Sequence, residues 1–410
     1  MPTVDVAVIG GGPAGAAASI TLARAGRSVV LVDRACFPRD KCCGDGLTAA
    51  ALRHLERLGL RPEAVDSWRS VDEVWLRSPS GRALAYPLPR QGLFAAMARR
   101  ADLDAALLDV AREAGVEVRD GCALLGAGVV PGGEAVRLEV DGMGVLDARY
   151  AVGADGMWSP LRKALGVADG HGYLGEWHAF RQYFTGVDGS AAERMWVWFE
   201  PDLLPGYAWS FPLPGGRANV GFGVQRRAGV ATRVMKAQWE DLLRRPHVAQ
   251  ALGGAGAEAT HKAWPIPARV GRCALSSSQG RALFVGDAAR AADPMTGEGI
   301  GQALETGTLA AQAILAAGPA DPVAAATRYE AAVGRGLGVD NRLAAVLSRL
   351  LSHDKGARAA IRLTGLTGWT RESFARWLFE GYPRGLLATP HRWRRGVLAA
   401  PGAYAGTEGA

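Results

Sequence analysis

The stretch that decides the fold is Val4-Asp5-Val6-Ala7-Val8-Ile9 followed by Gly10-Gly11-Gly12-Pro13-Ala14-Gly15. The first six residues are apolar apart from Asp5 and read as a buried strand. Ala14 to Ala25 is rich in alanine and leucine and reads as a helix that ends at Gly26. Ser28 to Asp33 reads as a second buried strand. Together they make one βαβ unit within about 30 residues. Gly10 permits the tight turn, Gly12 lets a pyrophosphate approach the backbone, and Gly15 lets helix pack on strand. Pro13 and Ala14 open a helix whose free N–H groups and dipole favour an anion. Asp33 stands 18 residues beyond Gly15, where a carboxylate accepts hydrogen bonds from ribose hydroxyls, with Arg34 beside it. The unit predicts a dinucleotide site and leaves NAD and FAD both open.

Gly170-His171-Gly172-Tyr173-Leu174-Gly175 fits the same glycine spacing. No strand precedes it and no alanine-rich helix follows, so it reads as a coincidental turn. An enzyme that binds FAD and NAD(P)H in two separate Rossmann domains should carry two fingerprints, and this sequence carries one.

Outward from that unit, 47–60 and 93–114 read as helices, and 123–153 as a β-meander with Gly-Gly and Asp-Gly turns. Between 173 and 224 the texture changes to aromatic, alternating and turn-bounded segments, which predict an antiparallel sheet. A helical stretch follows at 233–252, then a short buried strand at 282–285 and a helix at 301–316. The expected class is α/β. A discontinuous Rossmann-like domain takes 1–70, 93–170 and 275–320. A β-sheet substrate domain takes 71–92 and 171–274, and a helical C-terminal region takes 321–410. The length of 410 residues and 49% hydrophobic content suit such an assembly and exclude a disordered or collagen-like chain.

Two more motifs narrow the ligand. Gly153-Ala154-Asp155-Gly156 ends a strand with an acidic turn. Gly286-Asp287, followed by Asp293-Pro294-Met295-Thr296-Gly297-Glu298-Gly299-Ile300, places an acid and a glycine-rich loop before a helix. In this order the three motifs resemble the FAD-dependent oxidoreductases of the p-hydroxybenzoate hydroxylase class. The resemblance implies FAD, held by Gly10, Gly12, Pro13, Ala14, Gly15, Asp33, Arg34, Cys43, Gly44, Arg100, Asp155, Asp287, Gly297, Gly299 and Ile300. N–H groups of that last loop would stabilise an anionic reduced ring. Phe37-Pro38-Arg39-Asp40-Lys41-Cys42-Cys43-Gly44-Asp45-Gly46 and Tyr207-Ala208-Trp209-Ser210-Phe211-Pro212 resemble the geranylgeranyl reductases specifically. That family saturates isolated C=C bonds of isoprenoid chains, including geranylgeranyl groups and the menaquinone side chain. The resemblance covers roughly residues 4–310 and says nothing of the tail.

Reducing an unactivated alkene requires a hydride and a proton. Cys43, flanked by Lys41 and Asp45, matches the family cysteine and is the candidate catalytic group, with a small buried hydrophobe as the alternative. Trp196, Trp198, Tyr207, Trp209 and Phe211, with Pro294, are expected to line an apolar substrate cavity. Sheet core is the alternative for the tryptophans. The FAD motifs are shared with monooxygenases acting on apolar small molecules. They are also shared with halogenases, but those need a lysine after the second strand, and 42–162 contains none. A non-enzymatic FAD-binding protein is a third reading. Electrons would come from NAD(P)H or a ferredoxin-like donor.

Five cysteines without framework spacing and no zinc-spaced cluster predict a reduced protein with no metal. There is no signal peptide and no transmembrane run, so the expected location is cytoplasmic. A net charge of +7 is too small to imply nucleic acid. The stretch 341–395 nevertheless combines eleven Lys/Arg and three Asp/Glu with Trp369, Phe374, Trp377, Leu378, Phe379 and Trp393. Such a mixture suits peripheral contact with the inner face of a membrane. The alternative is a basic cap that packs its aromatics on the flavin domain.

Overall fold

The computed structural model describes residues 3–167, 173–226, 233–386 and 389–406. In it, strand Val4–Ile9 lies parallel between Val29–Asp33 and the end of Gly144–Gly153. Glu117–Asp120 extends the sheet beyond Val29–Asp33, and Ala282–Phe284 pairs in parallel with Gly144–Gly153. On the other side, Gly144–Gly153 begins the antiparallel meander with Val136–Val140 and Leu124–Val129. The central parallel strands are buried on both faces, which is why they read as unbroken apolar runs rather than alternating ones. Helices Pro13–Arg24 and Ile300–Ala317 pack together in the layer over this sheet. A Cβ at Gly307 would lie 2.1 Å from the Ala14 carbonyl oxygen, so glycine is what permits that approach.

Among the described residues the second sheet has eight strands. Trp177–Thr185, Arg217–Gln225, Tyr207–Leu213 and Met195–Trp198 form an antiparallel run. Glu73–Arg77 pairs in parallel with Met195–Trp198 and forms a hairpin with Ala83–Pro87. Gly256–Ala257 and Lys262–Ile266 pair with Trp177–Thr185. One face packs on helices Arg233–Arg244 and Pro246–Leu252, and the opposite face turns toward the cofactor sheet.

Two segments differ from the sequence reading. Ala95–Met97, expected inside a long helix, is a strand paired with Gly46–Thr48 and Arg69–Ser70. The helix begins only at Arg100. Complete burial between two strands overrides the helical preference of alanine there. The stretch 233–252 is two helices, because Pro246 cannot continue the first and instead opens the second. The run Gly170–Gly175, read as a coincidental turn, lies partly outside the described residues.

The tail forms helices Pro322–Arg335, Leu337–Leu351, Asp354–Thr364 and Gly368–Leu378. It is joined to the rest of the chain by buried polar contacts. Tyr329 donates to the Phe284 carbonyl at 2.7 Å. Tyr86 Oη lies 3.2 Å from the Ile361 carbonyl. Ala403 pairs with Leu93. Among the described residues no helix is long and apolar enough to cross a membrane.

Candidate active site

The ends of the parallel strands, the loop 37–46, the loop 293–299 and the inner face of the second sheet enclose one cavity of about 840 Å³. Two long helices start at its wall. Their N-cap positions, Gly12 and Gly299, provide no side-chain cap, and neither first turn holds an acid. Their N–H groups are thus left for a ligand, and both helix dipoles favour negative charge.

The glycine-rich turn is cationic above and tightly packed below. A Cβ at Gly15 would stand 1.8 Å from the Gly10 carbonyl oxygen, so Gly15 serves the packing beneath the turn. At Gly12 the only atoms within 4 Å of a Cβ would be guanidinium nitrogens of Arg39 and Arg100, at 3.6 and 3.8 Å. Both arginines are anchored by the buried Asp104, at 3.0 and 2.7 Å. Asp33 lines the cavity and accepts from Gly11 N–H at 2.7 Å and Ala35 N–H at 2.8 Å. Asp155 accepts from Leu161 N–H at 2.9 Å. Paired guanidinium groups, two uncapped helix ends and carboxylates at strand ends form a donor set that fits the pyrophosphate and riboses of FAD.

Away from the turn the cavity becomes aromatic. Tyr207, Trp209 and Phe211 occupy alternate positions of one strand, so all three project to the same face. Their rings follow one another at 6.0 and 5.9 Å. Trp209 donates to Asn219 Oδ1 at 3.1 Å, which fixes its indole. Gly44 and Gly46 back onto this strip, each with a Cβ position 3.4 Å from the Phe211 ring.

The chain matches the FAD binding domain family over residues 3–319. It is 32% identical to menaquinone reductase of Mycolicibacterium smegmatis over 365 residues, covering 84% of each chain. It is 30% identical to digeranylgeranylglycerophospholipid reductase 1 of Methanopyrus kandleri, covering 80% of this chain and 84% of that one. The chain belongs to the geranylgeranyl reductase family of FAD-dependent oxidoreductases. Its fold is shared with a geranylgeranyl bacteriochlorophyll reductase-like protein of Thermoplasma acidophilum. That similarity has a TM-score of 0.76 at 20% identity and covers 95% of this chain and 98% of that one.

Within this reductase fold, the residues expected to hold FAD face the cavity, except Gly15 beneath the turn. Cys43 and Lys41 are on the wall. Burial pushes the Cys43 thiol up to about 12. Burial also lowers the Lys41 ammonium, which lies 3.7 Å from Asp287 and 4.2 Å above the Trp264 ring. Asp45 lies behind the wall, fully buried at φ 64°. Its carboxylate accepts from Tyr183 Oη at 2.6 Å, Asn219 Nδ2 at 2.8 Å and Arg100 N–H at 3.3 Å. Burial raises it to about 6. Asp45 therefore shapes the loop that carries Cys43 rather than facing a ligand.

Three expected substrate residues sit elsewhere. Val197 pairs directly with Trp209, and directly paired residues share a face. Alternation then places Trp196 and Trp198 on the opposite face, beside Ser210 and Ala208. There they stack on each other at 5.9 Å and pack under Trp239 and Leu242. Pro294 is buried outside the cavity wall, and its carbonyl accepts from Trp177 Nε1 at 3.0 Å.

Four groups at the site were given no role in the sequence reading, although Asp40 and Asn219 lie in stretches that resemble the family. Asp40 bridges Arg181 and Lys262, tying the loop 37–46 to the second sheet. Asn219 joins Trp209, the Cys43 carbonyl and Asp45. Glu380 and Arg384 come from the tail, and Arg384 supports the loop 293–299. Arg384 pairs with Asp293 at 3.1 Å with both side chains buried. Glu380 accepts from Thr48 at 2.7 Å and Gln302 at 2.8 Å. Glu298 was quoted only as part of a glycine-rich loop, yet its side chain stands on the cavity wall.

Proposed function

We propose that this enzyme saturates C=C bonds in the polyprenyl chain of a menaquinone- or geranylgeranyl-type substrate. The observation that carries the reading is one cavity that joins the dinucleotide turn to the strip of Tyr207, Trp209 and Phe211. Bound FAD supplies a hydride when reduced. The chain's own residues position and enclose the alkene. The strip provides apolar contact for an isoprenoid, and the strand alternation aligns the three rings along a path. Lys41 and Cys43 face the same space, and Asp45 fixes the loop that presents them. The named activities of the two curated relatives support this substrate class.

The electron donor in this reading is NAD(P)H or a ferredoxin-like protein. Contact with the bilayer is part of the same reading, because such a substrate resides there. The structure redistributes the tail aromatics. Phe374, Leu378 and Phe379 pack inward, and Trp377 lies between Phe374 and Arg384. Leu363, Leu366 and Trp369, at the junction of two helices, are 63, 66 and 77% exposed. Exposed Lys355, Arg358 and Arg362 precede them. We assign this junction to contact with an anionic inner leaflet.

Anaerobic mixing of the dithionite-reduced holoenzyme with a short-chain menaquinone tests the function. Substrate-dependent flavin reoxidation, with two hydrogens gained per saturated bond, is the expected result. Oxygen-dependent turnover with one oxygen atom gained would replace this reading by monooxygenation. No reaction in either regime would remove the polyprenyl class.

A further inference from the structure

We infer that Glu298 is the acid that protonates the substrate double bond. The inference rests on the alkene-reductase reading above. Glu298 lies in the loop that opens helix Ile300–Ala317, between Gly297 and Gly299, and all three line the cavity. Its Oε1 is 3.8 Å from the Cβ position of Gly46, the residue that backs onto the Phe211 ring. The carboxyl thus stands where the cofactor part of the cavity meets the aromatic strip.

The other acids on the wall are engaged. Asp33 accepts two backbone N–H groups, Asp155 accepts one, Asp40 holds Lys262 and Arg181, and Asp287 faces Lys41. Among the described residues the Glu298 carboxyl has no hydrogen-bond or ion-pair partner. Tyr207 donates its hydroxyl hydrogen bond to the Thr296 carbonyl. The groups whose charge acts on Glu298 are Asp293 and Glu380, which favour its neutral form, and Arg384, which opposes them. Cys43 and Tyr207 complete the titratable surroundings.

Burial first, then Glu380 and Asp293, push the Glu298 carboxyl up to about 8. At neutral pH it keeps its proton, yet it is a far stronger acid than the Cys43 thiol. A general acid works best when its pKa lies near the working pH. In the step, one alkene carbon takes the hydride supplied by the reduced cofactor. The other carbon takes the Glu298 proton, forming C–H as O–H breaks. The π pair is consumed, Glu298 is left as carboxylate and regains a proton from water, and NAD(P)H in one step or a ferredoxin-like donor in two returns two electrons to the cofactor.

The test compares wild type with Glu298→Gln, which keeps shape and neutrality but holds no transferable proton. FAD content and midpoint potential are expected to match wild type. Single-turnover alkene reduction is expected to fall about 10²- to 10⁴-fold. Infrared titration of the FAD-loaded protein without substrate gives a readout independent of turnover. It should show a protonated-carboxyl band that titrates near pH 8, shifts in D2O and is missing in Glu298→Gln. Wild-type rates in Glu298→Gln, with wild-type enzyme active, overturn the inference alone. So does the lack of any carboxyl band titrating above the ordinary glutamate range, which settles the matter even if the variant folds poorly. A wild-type enzyme inert toward every polyprenyl alkene removes the substrate reading and the inference with it.

Discussion

At the scale of single residues, the site separates groups that touch a ligand from groups that hold the wall. Trp198 and Trp209 make the contrast testable. Trp198 is 1% exposed and belongs to the outer core of the second sheet. Trp198→Ala should lower stability by about 3–5 kcal/mol in chemical denaturation while KM for the alkene stays unchanged. Trp209→Leu should raise KM roughly tenfold with FAD retained, because it removes aromatic surface from the cavity. Gly15→Ala forces a methyl group onto the Gly10 carbonyl and should yield protein with a reduced flavin-to-protein absorbance ratio. The glycine turn, Asp33 and the aromatic strip were legible because their chemistry depends on local spacing. The side on which Trp196 and Trp198 fall was not, because alternation within one strand defines two faces without saying which is inner. Only the register against Trp209 decides it. Asp45 was misplaced for a related reason: its neighbours Gly44 and Gly46 face the cavity, while its own side chain turns back at positive φ toward Tyr183 and Asn219.

At the scale of elements, the tail was read as helical, as it is, but its contacts were not legible. Its helices have ordinary amphipathic texture, and no local pattern shows that Arg384 reaches a loop some 90 residues earlier, or that Glu380 reaches Thr48 and Gln302. The buried Arg384–Asp293 pair makes that link expensive to break, since an unpaired buried charge costs about 3–5 kcal/mol. Arg384→Met should therefore destabilise the protein and loosen FAD together, measured as a parallel loss of melting temperature and flavin retention. Helix Ile300–Ala317 carries a second consequence at Glu305. Burial pushes this carboxyl up to about 7, helped by Asp340 and Glu380. The folded state then holds the proton more tightly than the unfolded chain does. That stability is complete below the ordinary glutamate range and is lost as pH rises through about 7. Glu305→Gln removes the titration, so its melting temperature should fall less than that of wild type between about pH 5 and pH 8. Glu298 contributes with the same sign, so some slope will remain.

At the scale of the whole molecule, the proposed bilayer contact is a small tip rather than the whole basic tail. Holoenzyme should co-sediment with anionic but not neutral vesicles, and salt should weaken it. Leu366→Glu combined with Trp369→Glu should abolish binding with FAD content unchanged. Binding that survives this pair would move the contact elsewhere on the protein. Deleting 366–410 would remove Glu380, Arg384 and the stitch to the first half of the chain together with the tip. That stitch is dense. Leu93 pairs with Ala403, Tyr404 donates its N–H to the Glu56 carboxylate and its hydroxyl to the Leu60 carbonyl, and Arg53 donates to the Pro401 carbonyl. It has a bearing on biosynthesis. The glycine turn is translated long before Arg384, yet Arg384 braces the loop that completes the flavin site. Ribosome-arrested chains that have not yet exposed residue 404 should capture little FAD, and capture should rise sharply once that residue is released. Cofactor insertion in this protein is then expected to wait for the bracing tail residues instead of following directly on synthesis of the glycine turn.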